Sequence, residues 1–128
     1  MAKAEDPSML TERQRELLRE KLLEARAVLL EARASREGEF RGQRDTAAED
    51  MDAAEQAREQ SDALNRAERD RQRLRLIDEA LARFEDGTYG LSADSGEPIG
   101  FERLQSIPWA RLSVADQEAA EREARGRR

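Results

Sequence analysis

Apolar residues recur at seven-residue spacing through two long and otherwise highly charged stretches of this chain. In the first stretch Leu18, Ala25 and Ala32 share one position of the repeat, and Leu22 and Leu29 share another. A repeat of this period places one narrow apolar stripe along a helix, and two such helices bury their stripes against each other. The sequence therefore predicts a pair of long helices.

The second stretch carries a matching stripe in which the large side chains come late. Its two series are Ala67, Leu74 and Leu81, and Ala63, Asp70, Ile77 and Phe84. Large apolar side chains bury more area than alanine does. We therefore expect tight packing at the base of a helical hairpin, and alanine and polar contacts towards its tip.

The ends of the first helix are indicated by local signals. Thr11 followed by Gln14 has the spacing of a capping box, which predicts a helix start. The apolar repeat continues to about Arg36, so we expect the helix to end near this residue.

Two glycines, Gly38 and Gly42, then interrupt the pattern, and the chain is expected to reverse there. The second helical pattern starts between Asp45 and Asp50 and continues to about Asp86. The tip of the hairpin is acidic, because residues 37–55 hold seven acids against two arginines, a net charge of −5 out of −6 for the whole chain.

The composition of the sequence changes after Asp86. Glycines and prolines recur there through a short segment that also contains apolar residues. We expect short strands or irregular loops around Thr88–Leu91 and Pro98–Phe101, and a terminal helix from Leu112 to about Arg125. Candidates for the core of this head are Tyr89, Leu91, Phe101, Leu104, Ile107, Trp109 and Leu112.

The predicted fold is mainly α. It has three parts: a lead-in at 1–10, a long antiparallel coiled-coil hairpin at 11–86 with its tip at about 37–54, and a small globular head at 87–128 that ends in a helix. With 41% charged and 4% aromatic residues, the chain cannot enclose a large core, which favours this arrangement over a single compact domain.

Several function classes are excluded by composition. The sequence contains no cysteine and no histidine, which removes thiolate and imidazole metal sites and nucleophile–histidine arrangements, so we do not expect an enzyme. A net charge of −6 argues against direct binding of nucleic acid. No apolar run approaches the roughly 20 residues that cross a bilayer, and a cytoplasmic protein is expected.

Eleven residues between Glu85 and Gln117 match, in register and without gaps, a pattern that is typical of one protein family: Glu85, Asp86, Gly87, Tyr89, Gly90, Gly96, Ile99, Gly100, Arg103, Leu104 and Pro108. In this pattern the sequence resembles the DksA/TraR family of bacterial transcription regulators. The resemblance implies a coiled-coil hairpin with a zinc-finger-like head, and a protein that binds RNA polymerase directly, without reading DNA sequence.

The chain departs from the family at the four zinc ligands. Ser92, Ser95, Ser113 and Asp116 stand where the family has cysteines. Neutral hydroxyls and a single carboxylate are poor zinc ligands, so no zinc or other cofactor is expected, and packing must replace the folding energy of the metal.

The resemblance also assigns a role to the tip of the hairpin. Aligned without gaps, Asp52 and Ala54 match the family's tip motif and Glu49 replaces its first aspartate. In the family this tip enters the secondary channel of RNA polymerase and acts close to the active centre. Without the resemblance, Asp52 would be interpreted as an acidic residue that the helix dipole stabilises near the N-terminus of the second helix.

A second departure concerns regulation by guanosine tetraphosphate. Ile107, Gln117 and Leu76 occupy positions where members of the family use basic residues towards this nucleotide. Because cations supply the charge-assisted contacts to phosphate, a weak response or none is expected.

Residues 66–75 carry five arginines against two acids. Most charge runs are solvated helix faces, but Arg69 and Arg71 are candidates for docking on an acidic polymerase surface. The alternatives are a transcript-cleavage or elongation factor like the Gre proteins, and a structural coiled-coil adaptor. Nothing in the sequence indicates oligomerisation, and a monomer is expected.

Overall fold

The computed structural model describes residues 9–45 and 52–127, with the backbone alone for residues 39–45. Four helices follow one another along the chain: α1 (Glu12–Asp45), α2 (Ala53–Asp86), α3 (Phe101–Ser106) and α4 (Val114–Gly126). The prediction of a mainly α fold built on two long helices is confirmed, since α1 and α2 have 34 residues each.

Helix α1 begins where the sequence predicts. The backbone N–H of Gln14 donates to Thr11 Oγ1 at 3.1 Å, and the backbone N–H of Thr11 donates to Gln14 Oε1 at 2.9 Å. The two bonds satisfy donors that the first turn of a helix leaves without a partner, so the predicted capping box is confirmed.

The end of α1 differs from the prediction. The helix does not stop near Arg36 but continues through Gly38 and Gly42 to Asp45. A glycine inside a helix costs only about 1 kcal/mol relative to alanine. Neither glycine has the positive φ of a residue that terminates a helix. Both are therefore accommodated within α1, and the predicted reversal at these residues is wrong.

Helix α2 starts later than predicted, at Ala53 rather than between Asp45 and Asp50, and it ends at Asp86 as predicted. At its end, Gly87 adopts a φ of 80°. The backbone N–H groups of Thr88 and Tyr89 both donate to the carbonyl oxygen of Arg83. This left-handed turn satisfies a terminal carbonyl and directs the chain out of the helix.

The residues form two compact units, of which the first comprises Met1–Leu23 and Leu76–Arg128. Among its described residues the core contains Leu18, Leu22, Ile77 and Ala80 of the two long helices, with Tyr89, Ile99, Leu104 and Ala110 of the head. The predicted tight packing at the hairpin base is confirmed, because Leu18, Leu22 and Ile77 of the two apolar stripes are fully buried there. Ala80, which lies outside the predicted stripe of α2, is buried beside them in the core.

The head is built around a turn that brings Leu91 and Pro98 together as an isolated antiparallel bridge. Gly90 is required there: its φ is 90°, and an added Cβ would lie 2.9 Å from Cδ1 of Leu10. The short helix α3 was not predicted. Of the seven predicted core residues, Tyr89 and Leu104 are buried and five are half-buried: Leu91, Phe101, Ile107, Trp109 and Leu112.

The second unit is Glu24–Arg75. Within its described residues no side chain is fully buried, and the stripe positions Ala25, Ala32 and Ala67 are half-buried. Nη1 of Arg36 donates to Oδ2 of Asp70 at 2.7 Å. The predicted alanine and polar contacts are confirmed in this unit.

The contacts between α1 and α2 follow the order of an antiparallel hairpin, in which early residues of α1 meet late residues of α2. The guanidinium of Arg15 lies 5.8 Å from the ring centre of Phe84 in the first unit, and Arg36 pairs with Asp70 in the second. Across the described segments, the helices all lack the length and hydropathy needed to cross a membrane.

Candidate functional site

Asp52 stands immediately before α2 and acts as its N-cap. Its Oδ1 accepts a hydrogen bond from the backbone N–H of Glu55 at 2.8 Å, and its carbonyl oxygen accepts from the backbone N–H of Gln56 at 3.1 Å. An aspartate in this place satisfies an unpaired donor and favours the positive end of the helix dipole. The structure therefore gives Asp52 a local role at the helix start, whatever else it contacts.

The neighbouring residues of the predicted tip are only partly described. Ala54 is exposed on the first turn of α2. Glu49 lies outside the described residues. Asp52 and Ala54 therefore both lie exposed at the start of α2.

Arg69 and Arg71 lie on opposite sides of α2. Two residues along a helix are separated by about 200° of rotation, so the two guanidinium groups do not point to one surface. Arg69 lines a shallow polar cleft with Asp62, Asn65, Arg66 and Glu68. Arg71 donates from Nη1 towards Oε2 of Glu68 at 3.2 Å. The sequence indicated both arginines but not this separation.

The pair Arg36–Asp70 was not predicted, although the sequence holds a signal for it. Asp70 occupies a stripe position that is otherwise apolar, which indicates a polar partner across the helix pair. Both side chains are about one-third exposed. The ion pair therefore links α1 and α2 in a unit that lacks large buried side chains.

The four positions that replace the family's zinc ligands meet in one hydrogen-bond network. The hydroxyls of Ser92 and Ser95 both donate to Oδ2 of Asp116, at 2.5 and 2.6 Å. The backbone N–H of Ser113 donates to Oγ of Ser92 at 3.0 Å. The backbone N–H of Asp116 donates to Oγ of Ser113 at 3.1 Å. The network joins the turn after Leu91 to the start of α4.

Ser92 is the buried member of this network, with 3% of its surface exposed. Its backbone N–H donates to the carbonyl oxygen of Glu97, and its own carbonyl oxygen accepts from Gly96. Every polar group of Ser92 is therefore paired, which removes the penalty of burying a hydroxyl in the head.

The arrangement does not fit a zinc ion. Oδ2 of Asp116, the single anionic group among the four positions, already accepts two hydroxyl hydrogens. The hydroxyls are neutral, whereas structural zinc is held by thiolate and imidazole ligands. Within residues 9–45 and 52–127, no group of three or more acidic side chains is placed to hold a metal.

The same hydrogen bonds alter the acidity of Asp116. The hydrogen bond donated by the Ser92 hydroxyl lowers the pKa of the Asp116 carboxyl most, and the one donated by Ser95 lowers it next most. Burial acts in the opposite direction and raises this pKa. A carboxyl whose pKa is lower in the folded protein than in the unfolded chain stabilises the fold at pH values above its pKa in the unfolded chain, which is about 3.9. This contribution is lost as the pH falls through the lower, folded-state pKa.

We therefore expect Asp116→Asn to destabilise the protein at pH 7, and the difference from wild type to shrink as the pH falls below about 4. The free energy of unfolding of both proteins, measured between pH 7 and pH 2.5, checks this. Asp94→Asn is the matched control, because it removes an exposed carboxylate from the turn that carries Ser92 and Ser95, without removing a hydrogen bond of the network. If the free energies of unfolding of wild type and Asp116→Asn differ by the same amount at every pH, the charge of Asp116 does not stabilise the network.

Tyr89 joins the head to the end of α2. Its ring stacks on Phe84 with centroids 3.9 Å apart, and its hydroxyl donates to the carbonyl oxygen of Pro108 at 2.8 Å. Burial raises the pKa of the Tyr89 hydroxyl above its usual value. Arg83 adds a side-chain contact to the carbonyl oxygen of Ala110. These contacts fix the head on the helix that carries it.

The positions considered for nucleotide binding hold no cation. Leu76 and Ile107 are half-buried apolar residues, and Nε2 of Gln117 donates to Oε1 of Glu121 at 3.1 Å. A neutral amide engaged by a neighbouring carboxylate offers little to a phosphate group.

No protein-family model matches the chain. It is 42% identical over 125 residues, 95% of this chain and 86% of the relative, to the RNA polymerase-binding transcription factor DksA of Caulobacter vibrioides.

Two solved structures are similar as well. The transcription factor DksA2 of Pseudomonas aeruginosa has a TM-score of 0.71 and 36% identity, covering 94% of this chain and 92% of that one. The RNA polymerase binding protein and transcriptional regulator Dks of Chlamydia trachomatis has a TM-score of 0.55 and 25% identity, covering 91% and 96%. With this identity along nearly its whole length, and with the same fold, the chain belongs to the DksA family.

Proposed function

We propose that this protein is a non-enzymatic transcription regulator of the bacterial cytoplasm that binds RNA polymerase directly. The observation that carries the proposal is the 42% identity to the Caulobacter vibrioides RNA polymerase-binding factor over 95% of this chain. The long helices suit that role. At about 1.5 Å per residue, α2 alone is about 51 Å long, enough to reach deep into a narrow channel.

The proposed mechanism places the start of α2 inside the secondary channel. Asp52, Ala54 and Glu49 would lie near the active centre, where a carboxylate can compete for basic or metal-linked groups. The N-cap geometry supports this, because it holds the Asp52 side chain at a fixed place on the helix end. Ala54 is small and lies at the same helix end, so it leaves room there for a partner.

Arg69 and Arg71 are proposed to dock on acidic surfaces of the polymerase further along α2. Both are exposed. Arginine suits such contacts because its planar guanidinium can bind a carboxylate through two hydrogen bonds.

The direct test is competition for RNA polymerase. We expect the protein to co-purify with core RNA polymerase, and an established secondary-channel factor to displace it. A structural adaptor would not compete. A factor that stimulates transcript cleavage would compete, but it would also shorten the RNA in stalled complexes, so cleavage is measured in the same assay. Binding without competition would place the protein elsewhere on the enzyme.

We further propose that the head folds without zinc or any other cofactor. Protein purified without added metal is expected to contain far less than one zinc per chain, and a chelator should leave its melting temperature unchanged. The variant S92C/S95C/S113C/D116C is the positive control, because four thiolates at these positions form a ligand set that zinc prefers. Zinc at near unit ratio in the wild-type protein would refute the proposal.

The response to guanosine tetraphosphate is proposed to be weak or absent. We expect the nucleotide to change the protein's effect on a ribosomal RNA promoter by less than about twofold, since no cation stands at Leu76, Ile107 or Gln117. A DksA that responds to the nucleotide serves as the control in the same assay. A strong dependence on the nucleotide would contradict this.

A further inference from the structure

Residues 105–112 run from the last turn of α3 to the residue before Ser113, the N-cap of α4, and we name them the linking segment. From Ile107 onward this segment is neither helix nor strand. Its backbone carbonyls therefore lack the partners that regular structure supplies, and a buried carbonyl without a partner is costly. Four of these carbonyls accept a hydrogen bond from a side chain instead: those of Gln105, Pro108, Ala110 and Leu112.

Two of the four bonds are short and lie within the head. The hydroxyl of Tyr89 donates to the carbonyl oxygen of Pro108 at 2.8 Å, and Nε of Arg103 donates to the carbonyl oxygen of Leu112 at 3.0 Å. Both distances are ordinary for strong hydrogen bonds of their kind. Tyr89 is also buried in the core. These two bonds therefore hold the linking segment firmly to the rest of the head.

The other two bonds come from the long helices and are longer. Nζ of Lys21 in α1 donates to the carbonyl oxygen of Gln105 at 3.3 Å, and Nη2 of Arg83 in α2 donates to the carbonyl oxygen of Ala110 at 3.5 Å. A hydrogen bond weakens as it lengthens, although a cationic donor strengthens it. The linking segment is therefore held more loosely to the hairpin than to the head.

The surroundings of Arg83 also favour separation of the linking segment from α2. The side chain is half-buried. Burial is the main cause that lowers the pKa of its guanidinium, the nearby Glu79 raises this pKa, and the positive charge of Arg111 lowers it further. Because Arg111 belongs to the linking segment, the repulsion between the two guanidinium groups acts across this contact.

We propose that Lys21 and Arg83 form a latch, which holds the linking segment against the two long helices and whose loss lets the segment open while the hairpin stays folded. Local opening fits the contacts, because the bonds that break are the two long ones and the bonds within the head are kept. The inference goes beyond the proposed function, since it concerns the free protein and does not require polymerase.

The test is the full-length variant K21M/R83M, in which methionine keeps an unbranched apolar stem and removes the donor. Hydrogen exchange in residues 105–112 is expected to become about tenfold faster than in wild type, and in residues 24–36 of α1 to change by less than about twofold. Trp109 is the single tryptophan of the sequence and lies in the linking segment. The quenching of its fluorescence by acrylamide should therefore rise, by about twofold.

Two control variants separate the latch from a general effect of charge. Arg19→Met removes an exposed cation of α1 from the first unit, and it should change neither hydrogen exchange nor quenching. K21R/R83K exchanges the two cations but keeps a charged donor at each place. It should behave like the wild type, because each bond uses a single N–H group and not a bidentate pair.

Three outcomes overturn the latch. The first is hydrogen exchange in residues 105–112 of K21M/R83M that stays at the wild-type rate. The second is an equal acceleration in residues 24–36, because the variant would then loosen the whole protein and not one segment. The third is K21R/R83K behaving like K21M/R83M, which would show that the cationic donors are not what holds the segment.

Discussion

Asp52→Asn is expected to leave binding to RNA polymerase intact and to weaken the effect on transcription about tenfold. Asparagine caps a helix about as well as aspartate does, because its side-chain oxygen accepts the same backbone hydrogen bond. The bond from Glu55 N–H to position 52 is therefore retained. What is lost is the negative charge that the mechanism places near the active centre.

The measurement uses two quantities on the same preparations. The dissociation constant for core polymerase should change by less than about twofold, and the effect of saturating protein on the lifetime of promoter complexes should fall about tenfold, equivalent to about 1.4 kcal/mol. Glu59→Gln, which removes another exposed carboxylate of α2, should retain both.

Asp52→Ala separates the charge from the cap. It removes both, so it should also destabilise the protein by about 0.5–2 kcal/mol. If Asp52→Asn keeps its full effect on transcription while Asp52→Ala loses it, the helix cap is the functional feature and the proposed role of the charge is wrong.

Leu22→Ala is expected to destabilise the protein by about 2–5 kcal/mol, the largest stability effect predicted here. Leu22 has no exposed surface and belongs to the core of the first unit with Leu18 and Ile77. Truncation removes buried apolar area and leaves a cavity that the two helices can close only in part.

The next residue provides a matched control. Leu23 has the same chemistry, is on the same helix and is 42% exposed. Leu23→Ala should cost less than about 1 kcal/mol, since little buried area is lost. Urea unfolding of both variants checks the contrast. Equal losses would mean that the stripe through Leu22 is not what holds the hairpin base together.

The candidate site was predicted from the sequence unevenly. The four positions of the head were identified through the family resemblance, but their mutual contacts were not, because Ser92 and Asp116 are 24 residues apart and meet only in the folded head. Asp52 was predicted as an acid near a helix N-terminus but not as the N-cap, because the sequence placed the start of α2 before Asp50 and the structure places it at Ala53. The opposite placement of Arg69 and Arg71 follows from helix geometry once the helix is established.

The sequence by itself determined the pair of long helices, the start at Thr11 and the packed base of the hairpin. These depend on heptad period and capping, and both are set by residues a few positions apart. The tertiary structure decided that α1 continues through Gly38 and Gly42, that Arg36 pairs with Asp70, and that a carboxylate and three serines meet in one hydrogen-bond network. The pairing and the network arise where distant segments meet, and no local pattern records those contacts.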